Sequence, residues 1–340
     1  MTKDNYPVNE SDRAEKDPVH HRHMESKQVT AAAVQMNAIL ADVGTNLRKA
    51  ELLIDKAFLK GAEIVILPEF FPSGVAFNQL MLKAALPIDG KATELLLRKA
   101  RQHHGMVGGS FLSIKPDHER YNTFVLAFPD GTYAIHDKDI PTMWENCYYR
   151  GGNDPGIIDT PLGTFGSALC WEFIRTRTAQ RLKSKIHLLV GGSCWWTVPD
   201  KAIPLPFKET VERLNLDIMK STPSRMARLL GVPVVHAAHA GNFEGCVPWF
   251  PKLRYRSYYL GETQIVDGRG SILSRLSREQ GEDVITARLS LGSPFPSEPI
   301  PEGFWIPRLH PMFKLLWHYQ NFHGRLYYES KKKKGFRSEG

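Results

Sequence analysis

The sequence predicts an α/β fold in which two mixed β-sheets stack face to face with helices on both outer sides, a four-layer αββα sandwich. Apolar runs with the length of buried strands alternate with segments that have the spacing of amphipathic helices. The second half of the chain repeats the order of the first half. In addition, 42% of the residues are hydrophobic, which is enough to build the core of one domain of about 260 residues.

The first half begins with a polar segment. Residues 1–28 are mostly charged or polar and have no apolar period, so we expect a disordered leader. A strand, a helix and a second strand follow as a βαβ unit, and a further helix and three strands complete this half. The predicted strands are residues 29–36, 64–67, 106–114, 123–128 and 132–136, and the predicted helices are residues 46–59 and 92–102.

The second half has the same alternation and completes a domain predicted for residues 29–290. Its predicted strands are residues 165–169, 187–190, 232–238, 261–266, 271–276 and 284–289, and its predicted helices are residues 178–183 and 209–230. Residues 291–340 form a C-terminal extension with a proline-rich stretch, an aromatic segment at residues 305–328 and a basic tail. We expect the aromatic segment to be an arm that packs on the core or on a partner subunit.

Charge and cysteine content exclude several classes of protein. The formal net charge of +8 comes partly from the lysine run at residues 331–334, so we interpret it as a solvated tail and expect no nucleic-acid partner. No apolar run approaches the roughly 18 residues of a membrane helix, and we expect a cytoplasmic protein without membrane contact. Cys147, Cys170, Cys194 and Cys246 have no CxxC spacing, which argues against a metal cluster or a disulfide scaffold.

Glu69 is the first candidate catalytic residue. It comes directly after the apolar strand at residues 64–67 and after Pro68, and α/β proteins place their sites at the exits of buried strands. Because Pro68 stiffens the chain and lacks a backbone donor, it favours a fixed carboxylate in a dry pocket, where burial raises the pKa towards values suited to proton transfer. Taken alone, an acid that caps a loop is an equally common explanation.

Cys170 is the candidate nucleophile. It ends the strand at residues 165–169, where a glycine at position 166 allows a tight turn and the thiol would face a cleft. The backbone amides that follow would be free to receive an oxyanion. Taken alone, cysteine is more often a buried small hydrophobe.

Lys138 closes the strand at residues 132–136 between Asp137 and Asp139, and Glu145 follows it seven residues later. Most lysines beside aspartates form exposed ion pairs worth about 0–1 kcal/mol. Here, however, a carboxylate, an ammonium and a thiol each come at the end of a different strand of one α/β domain. This arrangement indicates a shared reactive centre.

With these motifs in this order, the chain resembles the nitrilase superfamily, also called the carbon-nitrogen hydrolases, from about residue 29 to residue 289. Each motif is short, and their combined order and spacing make the resemblance specific. The motifs are Leu67-Pro68-Glu69, His136-Asp137-Lys138 with Glu145, Ala168-Leu169-Cys170-Trp171-Glu172, and the stretches at residues 225–242 and 261–270.

The resemblance implies a role for each residue of the predicted centre. Glu69 is expected to be the general base, Lys138 the cation that stabilises the oxyanion, and Cys170 the nucleophile. Glu145 matches the family's second glutamate, which helps to position substrate and protons. The resemblance also implies the four-layer αββα fold and a homodimer or larger even assembly. The chemistry through a thioester needs neither metal nor organic cofactor.

The predicted substrate is a small amide or a nitrile. Trp144, Trp171, Trp195 and Trp196 fall near strand ends and are expected, with Glu172, to contact substrate and to favour an aromatic or apolar acyl group. An aliphatic amide, a carbamoyl amine, an ω-amide acid and a nitrile all remain open. Position 173 holds phenylalanine where many nitrilases have histidine, and this favours an amide over a nitrile.

The sequence also contains features of a metal site, a cysteine protease and a binding protein. His236 and His239 have HxxH spacing, but residues three apart on a strand point to opposite faces, so we expect no metal site. A cysteine protease with a Cys–His pair has candidate histidines but no supporting motif, and the chain contains no G-x-S-x-G, G-x-G-x-x-G or P-loop sequence. A catalytically silent binding protein, recruited through the basic tail and aromatic arm, is the alternative of a different class. The protease candidates are His103, His104, His187, His236 and His239.

Overall fold

The computed structural model describes residues 27–200 and 208–336. The leader predicted for residues 1–28 therefore lies outside the described residues except for its last two positions. Those two, Lys27 and Gln28, already belong to the first strand, which starts two residues before the predicted domain boundary.

The first half of the described chain is a βαβ unit followed by an antiparallel meander. Its elements are β1 (Lys27–Met36), α1 (Val43–Leu59), β2 (Ile64–Ile66), β3 (Leu86–Pro87), α2 (Lys91–His103), β4 (Met106–Ile114), β5 (Arg120–Ala127) and β6 (Tyr133–Asp137). β2 lies parallel to β1 and to β4, whereas β4, β5 and β6 pair antiparallel. The short strand β2 is an apolar run that is buried throughout, as expected for a parallel strand covered on both faces.

The second half adds a parallel group and a long antiparallel hairpin. Its elements are β7 (Ile157–Thr160), β8 (Gly163–Leu169), α3 (Thr176–Leu182), β9 (Leu188–Ser193), α4 (Lys208–Leu230), β10 (Val234–Val247), β11 (Phe250–Val266), β12 (Ile272–Ser277), β13 (Asp283–Leu291) and α5 (Pro311–Lys333). β8, β9 and β10 are parallel, and β10, β11 and β12 pair antiparallel.

β1 joins the two halves. It pairs in parallel with β2 along its middle and with β10 at its end, where Gln35 and Met36 stand opposite Ala238 and His239. β13 runs antiparallel along β1 and returns the chain to its start. In the described residues, the thirteen strands thus form one connected mixed sheet with the order β6-β5-β4-β2-β1-β10-β9-β8-β7 along its main path. An α/β fold with a mixed sheet, as the sequence predicts, is confirmed.

The strands bury both of their faces. Ile64 and Ile66 point into one apolar cluster that also contains side chains of β5, β8, β9 and β10. Val65 points the opposite way, into a second cluster with α1 and α2. A third cluster joins α3 and α4 to β8, β9 and β10. The alternation of strand side chains therefore places helices against the sheet faces that the first cluster does not cover.

The hairpin of β10 and β11 is longer than the sequence predicts. The predicted strands ended at residue 238 and began again at residue 261, but the ladder continues to Val247 and resumes at Phe250. Residues 239–260 contain glycine, proline and several charged residues, a composition typical of loops. Cross-strand pairing to a neighbour overrides that local signal, because β propensity depends strongly on context.

The aromatic segment predicted as an arm folds largely as α5, a helix of 23 residues that packs on its own chain. Pro311 lies in the first turn, where its missing N–H costs nothing, and His310 caps the helix through a bond from the Met312 amide at 3.2 Å. α5 packs against the 3-10 turn Met143–Cys147, which carries Glu145. No helix in the described ranges combines the length and apolarity that crossing a bilayer requires.

Candidate active site

Three strand exits bring Glu69, Lys138 and Cys170 together. Glu69 follows β2, Lys138 follows β6 and Cys170 follows β8. The Lys138 Nζ atom lies 2.8 Å from Glu69 Oε1 and 2.7 Å from Glu145 Oε2. The Cys170 Sγ atom and one carboxylate oxygen from each glutamate all lie within 4.8 Å of one another. The four side chains that the sequence analysis assigned to the reactive centre therefore share one cluster.

Cys170 lies on a sharp turn. Its φ of +50° is in the left-handed region, which residues other than glycine seldom adopt, and it is the first residue of the 3-10 turn Cys170–Ile174. Such strain persists only where the surrounding structure imposes it, and it is common at functional sites. Because the first amides of a helical turn have no partner within the turn, the Trp171 N–H is available to a bound group.

The carboxylate of Glu69 is held by several partners besides Lys138. Asn122 Nδ2 donates to Oε1 at 2.8 Å, and the backbone N–H of Cys194 donates to Oε2 at 2.8 Å. His239 Nε2 donates to the Glu69 carbonyl oxygen at 2.8 Å, and burial lowers the pKa of His239 to about 4, so this ring is neutral. The sequence analysis did not select Asn122, although an asparagine within the apolar strand β5 is an available signal.

Glu145 holds the other side of the ammonium. Its Oε2 atom accepts hydrogen bonds from Lys138, from the Tyr149 hydroxyl and from the Thr142 backbone N–H. Lys138 is completely buried, so its charge is balanced by these two carboxylates rather than by water. Moving a buried cation away from two fixed anions costs a large free energy, so the position of the Lys138 ammonium is well defined.

Burial controls proton positions in the cluster. It raises the pKa of Glu69 to about 7, although the Lys138 charge acts in the opposite direction. Burial alone would lower the pKa of Lys138, but the charges of Glu145 and Glu69 outweigh it and keep that pKa well above the ordinary value. Lys138 is therefore charged at all ordinary pH values.

Burial, together with the negative charge of Glu69, raises the pKa of the Cys170 thiol well above its ordinary value. The charge of Lys138 acts to lower this pKa, but burial outweighs it. The reason is that a thiolate loses its hydration in so enclosed a site. The resting thiol keeps its proton, so attack requires a base beside it.

Glu172 lies in a second buried network rather than in the wall of the pocket. Its Oε2 atom accepts from the Leu169 backbone N–H at 2.9 Å and bonds His136 Nε2 at 2.9 Å, while Oε1 accepts from Arg181 at 3.1 Å. The expectation that Glu172 contacts substrate is therefore not supported, because all of its oxygens point to protein partners. Glu172 instead ties the strand that presents Cys170 to the strand that presents Lys138.

A cavity of about 520 Å³ opens above Cys170 and Glu145. Trp144, Trp171, Trp195 and Trp196, which were predicted to contact substrate, all line it. None of the other lining residues was predicted as a site residue, because no motif marks them. The missed residues are Val75, Ala76, Phe77, Thr142, Met143, Cys194, Thr197, Val198, Pro199, Asn215, Val247, Leu253, Tyr255, Met312, Phe313, Leu316, Tyr319 and Gln320.

The cluster contains side chains of types that bind metal ions, but a cation, the Lys138 ammonium, is already present among them. Glu69, Glu145 and Cys170 are close enough to share an ion, but Lys138 contacts both carboxylates and supplies the positive charge that an ion would bring. His236 and His239 bind different groups, since His236 Nε2 lies 2.8 Å from Ser193 Oγ whereas His239 contacts the Glu69 backbone. The donor set fits an ammonium better than a metal.

Comparison with known proteins gives one family. Residues 30–293 match the family model described as carbon-nitrogen hydrolase. Among curated proteins, Nitrilase 3 of Arabidopsis thaliana is 30% identical over 212 residues, covering 50% of this chain and 61% of that protein. Omega-amidase NIT2-B of Xenopus laevis is 31% identical over 150 residues, covering 41% of this chain and 54% of that protein. The chain spans about half the length of the curated relatives it matches.

Solved structures share the fold at low sequence identity. A carbon-nitrogen hydrolase from Helicobacter pylori G27 superposes with a TM-score of 0.64 at 16% identity, covering 77% of this chain and 89% of that one. Nit3 of Saccharomyces cerevisiae, a member of branch 10 of the nitrilase superfamily, gives a TM-score of 0.60 at 22% identity, covering 78% and 93%. At these identities the likeness concerns the fold alone.

Proposed function

The chain belongs to the carbon-nitrogen hydrolase family, and on that premise we propose that it cleaves the carbon–nitrogen bond of a small, non-peptide amide through Cys170. One observation carries the proposal: the Lys138 ammonium contacts two buried carboxylates while the Cys170 sulfur lies within 4.8 Å of an oxygen of each. This arrangement supplies a nucleophile that lines the cavity, with a base and a fixed cation beside it.

In the first half of the proposed reaction, Glu69 accepts the thiol proton as the Cys170 sulfur attacks the carbonyl carbon. The carbonyl π electrons move to oxygen, and Lys138 and the Trp171 N–H stabilise the oxyanion, each such donor being worth about 10²- to 10³-fold in rate. Glu69 then gives the proton to the departing nitrogen, and the carbon–nitrogen bond breaks. Ammonia or an amine leaves, and a thioester on Cys170 remains.

In the second half, water attacks the thioester carbon while Glu69 accepts a proton from it. The carbon–sulfur bond breaks, the thiol regains its proton and a carboxylate is released. Glu145 keeps Lys138 in position throughout, through the contact at 2.7 Å. The pKa of about 7 for Glu69 supports its double role, because a base near neutral pH can both accept and return a proton.

A nitrile is the second candidate substrate, since nitrilases are among the relatives of this chain. Sulfur would add to the nitrile carbon to give a thioimidate, one water would add and ammonia would leave, and a second water would cleave the resulting thioester. The amide remains our preference. Ammonia release from paired amides and nitriles with the same carbon chain distinguishes the two, and release from nitriles alone would overturn the preference.

Three broader properties are part of the same proposal. The apolar clusters on opposite strand faces support a four-layer αββα sandwich within residues 29–290. We expect the chain to form a homodimer or a larger even assembly. The free thiols of its four cysteines are consistent with a reducing compartment such as the cytoplasm.

The test of the proposal is the reactivity of Cys170. Iodoacetamide treatment followed by peptide mass spectrometry should label Cys170 ahead of Cys147, and Cys170→Ala should abolish ammonia release from every substrate. Glu69→Gln should slow the labelling, because the thiol then lacks its base. Tail-dependent retention on heparin in a protein without a reactive Cys170 would instead favour the binding-protein alternative.

A further inference from the structure

The cavity above Cys170 has an almost wholly apolar wall. On one side, Phe77 packs edge-on against Trp144 at 4.5 Å and against Trp196 at 5.3 Å between ring centroids. On another side, Trp171 and Trp195 pack with centroids 5.6 Å apart. Aromatic walls of this kind gain free energy by covering apolar ligand atoms and offer little to a carboxylate.

Helix α5 forms the wall that faces these rings. It contributes Met312, Phe313, Leu316, Tyr319 and Gln320 to the lining. Contacts outside the cavity fix its position, including the stacking of Trp317 on Trp171 with planes 2° apart. A substrate bound at Cys170 within the cavity therefore has α5 as one of its walls.

Further polar contacts anchor α5 to the rest of the chain. Asn321 Oδ1 accepts from Asn146 Nδ2 at 3.0 Å, in the same turn that carries Glu145. The Tyr328 hydroxyl donates to Glu119 at 2.7 Å. These bonds tie the wall to the catalytic turn, so the distance between the reacting carbon and α5 is built into the fold.

Within the described residues, the lining includes no lysine, arginine or histidine. Its one carboxylate is Glu145, which already accepts from Lys138, Tyr149 and the Thr142 amide. The Asn215 amide is used as well, since it accepts from Trp195 Nε1 and donates to the Trp196 carbonyl. A carboxylate on the acyl group would lose hydration in this cavity, and the described lining offers it no countercharge.

The cavity is also larger than the smallest amides need. Its volume of about 520 Å³ is roughly 17 times the ~30 Å³ that one water molecule occupies in the liquid. Acetamide would leave most of the apolar wall uncovered. A longer apolar chain would cover it and convert that burial into tighter transition-state binding.

We propose that the substrates are neutral amides whose apolar acyl group fills the cavity against α5, and that Phe313, Leu316 and Gln320 on α5 select them against acyl groups that end in a carboxylate. This inference rests on the proposed function and adds the substrate class to it. Among the alternatives left open by the sequence, it excludes ω-amide acids.

The test compares amides that differ only at the far end. We expect kcat/KM for hexanamide to exceed kcat/KM for acetamide. Adipamic acid has the same chain length as hexanamide but a terminal carboxylate, and we expect its kcat/KM to be about 100-fold below that of hexanamide. Equal turnover of hexanamide and adipamic acid would overturn the inference.

A gain-of-function variant tests the role of α5. Gln320→Arg adds a cation to the wall and should raise kcat/KM for adipamic acid at least tenfold while lowering it for hexanamide. Leu315→Arg adds the same charge one turn away on the exposed face of α5, where Leu315 is 70% exposed, and should give no gain. A similar gain in both variants would show that general electrostatic attraction, and not the pocket wall, is responsible.

The proposed function and the proposed substrate class are contradicted by different results. If no amide or nitrile acylates Cys170, as judged by intact-protein mass after rapid quenching, the proposed function itself is wrong. If Cys170 is acylated but charged and apolar acyl groups react equally, the function stands and the substrate class is wrong. The wild-type series decides this even where Gln320→Arg fails to fold.

Discussion

Glu69, Lys138 and Glu145 form a buried triplet with one positive charge between two acids. Taking such groups out of water costs several kcal/mol for each ion, so a buried ion pair is weak evidence for stability. The contacts of 2.7 and 2.8 Å between Lys138 and the two carboxylates balance the charge of the ammonium. The Cys170 thiol beside them keeps its proton and therefore needs a base before it can react. At the scale of single residues, this cluster is explained better by a catalytic role than by a contribution to the stability of the fold.

Replacing Glu69 by glutamine tests its assignment as the base. We expect kcat/KM to fall by about 10²- to 10⁴-fold at pH 8. Because Glu69 must be ionised to accept a proton and its pKa is about 7, wild-type activity should rise as the pH increases through 7. This rise should be lost in Glu69→Gln, whereas Glu94→Gln on the exposed face of α2 should keep it. A pH profile of Glu69→Gln with the wild-type shape would refute the assignment.

His136 and Glu172 form the second buried pair, with no exposed side-chain surface on either partner. Burial lowers the pKa of His136, but Glu172 and Asp154 outweigh it and raise that pKa from 6.5 to about 9. The charged histidine therefore stabilises the fold fully below pH 6.5, and this contribution is lost as the pH rises through about 9.

Glu172→Gln should lower the free energy of unfolding at pH 7 by about 3 to 5 kcal/mol, because it removes a buried anion from the fully buried His136 and leaves that ring only Asp154. It should also reduce the loss of stability between pH 6.5 and pH 9. Urea unfolding curves at several pH values measure both effects. The assignment fails if the variant shows the same loss of stability over this range as the wild type.

Helix α5 is the element that converts an ordinary strand-end site into an enclosed cavity. Its inner face carries Phe313 and Trp317, both nearly buried, while Leu315 and Phe322 on its outer face are 70% and 65% exposed. The helix packs against the turn that carries Glu145 and against the ring of Trp171. Fold stability and pocket shape are therefore coupled through one element.

Trp317→Ala should lower the free energy of unfolding by about 3 to 5 kcal/mol, the usual cost of truncating a large buried aromatic side chain. The change opens a hole beneath Trp171, so kcat/KM for hexanamide should fall as well. Leu315→Ala is the control and should change stability by no more than about 0.5 kcal/mol. Denaturant unfolding and kinetics on the same preparations compare the variants, and an equal effect of both would contradict this packing role.

At the scale of the whole molecule, the site exists because both halves of the chain meet at β1. Glu69 and Lys138 come from the first half and Cys170 comes from the second half. β1 pairs with strands of both halves, which brings their carboxyl-terminal ends to one edge. The proposed nucleophile and its proposed base are thus brought together only when the complete domain has folded.

The assembly state is open to a direct measurement. Light scattering on the purified protein should give the mass of two copies of the 38.5 kDa chain, or of a larger even number. The reason is the family resemblance, which implies a homodimer or a larger even assembly. A concentration-independent monomer mass would refute this prediction.

The sequence by itself determined the strand ends and the residue types placed there. The strand before Glu69 is a continuous apolar run, and the strands before Lys138 and Cys170 also have strand-like composition, so the ends of all three could be located without coordinates. The α/β class followed from the alternation of strand and helix periods. These features depend on neighbours within a few residues, which is the range over which a sequence pattern carries information.

Only the tertiary structure decided what surrounds those residues. The Asn122 contact to Glu69, the wall formed by α5, the protein partners of Glu172 and the raised pKa of Cys170 all depend on groups far apart in the chain. Such contacts follow from how the sheet twists and how the helices pack on it. Burial and opposing charges then set the pKa values of the site residues, and neither can be read from local composition.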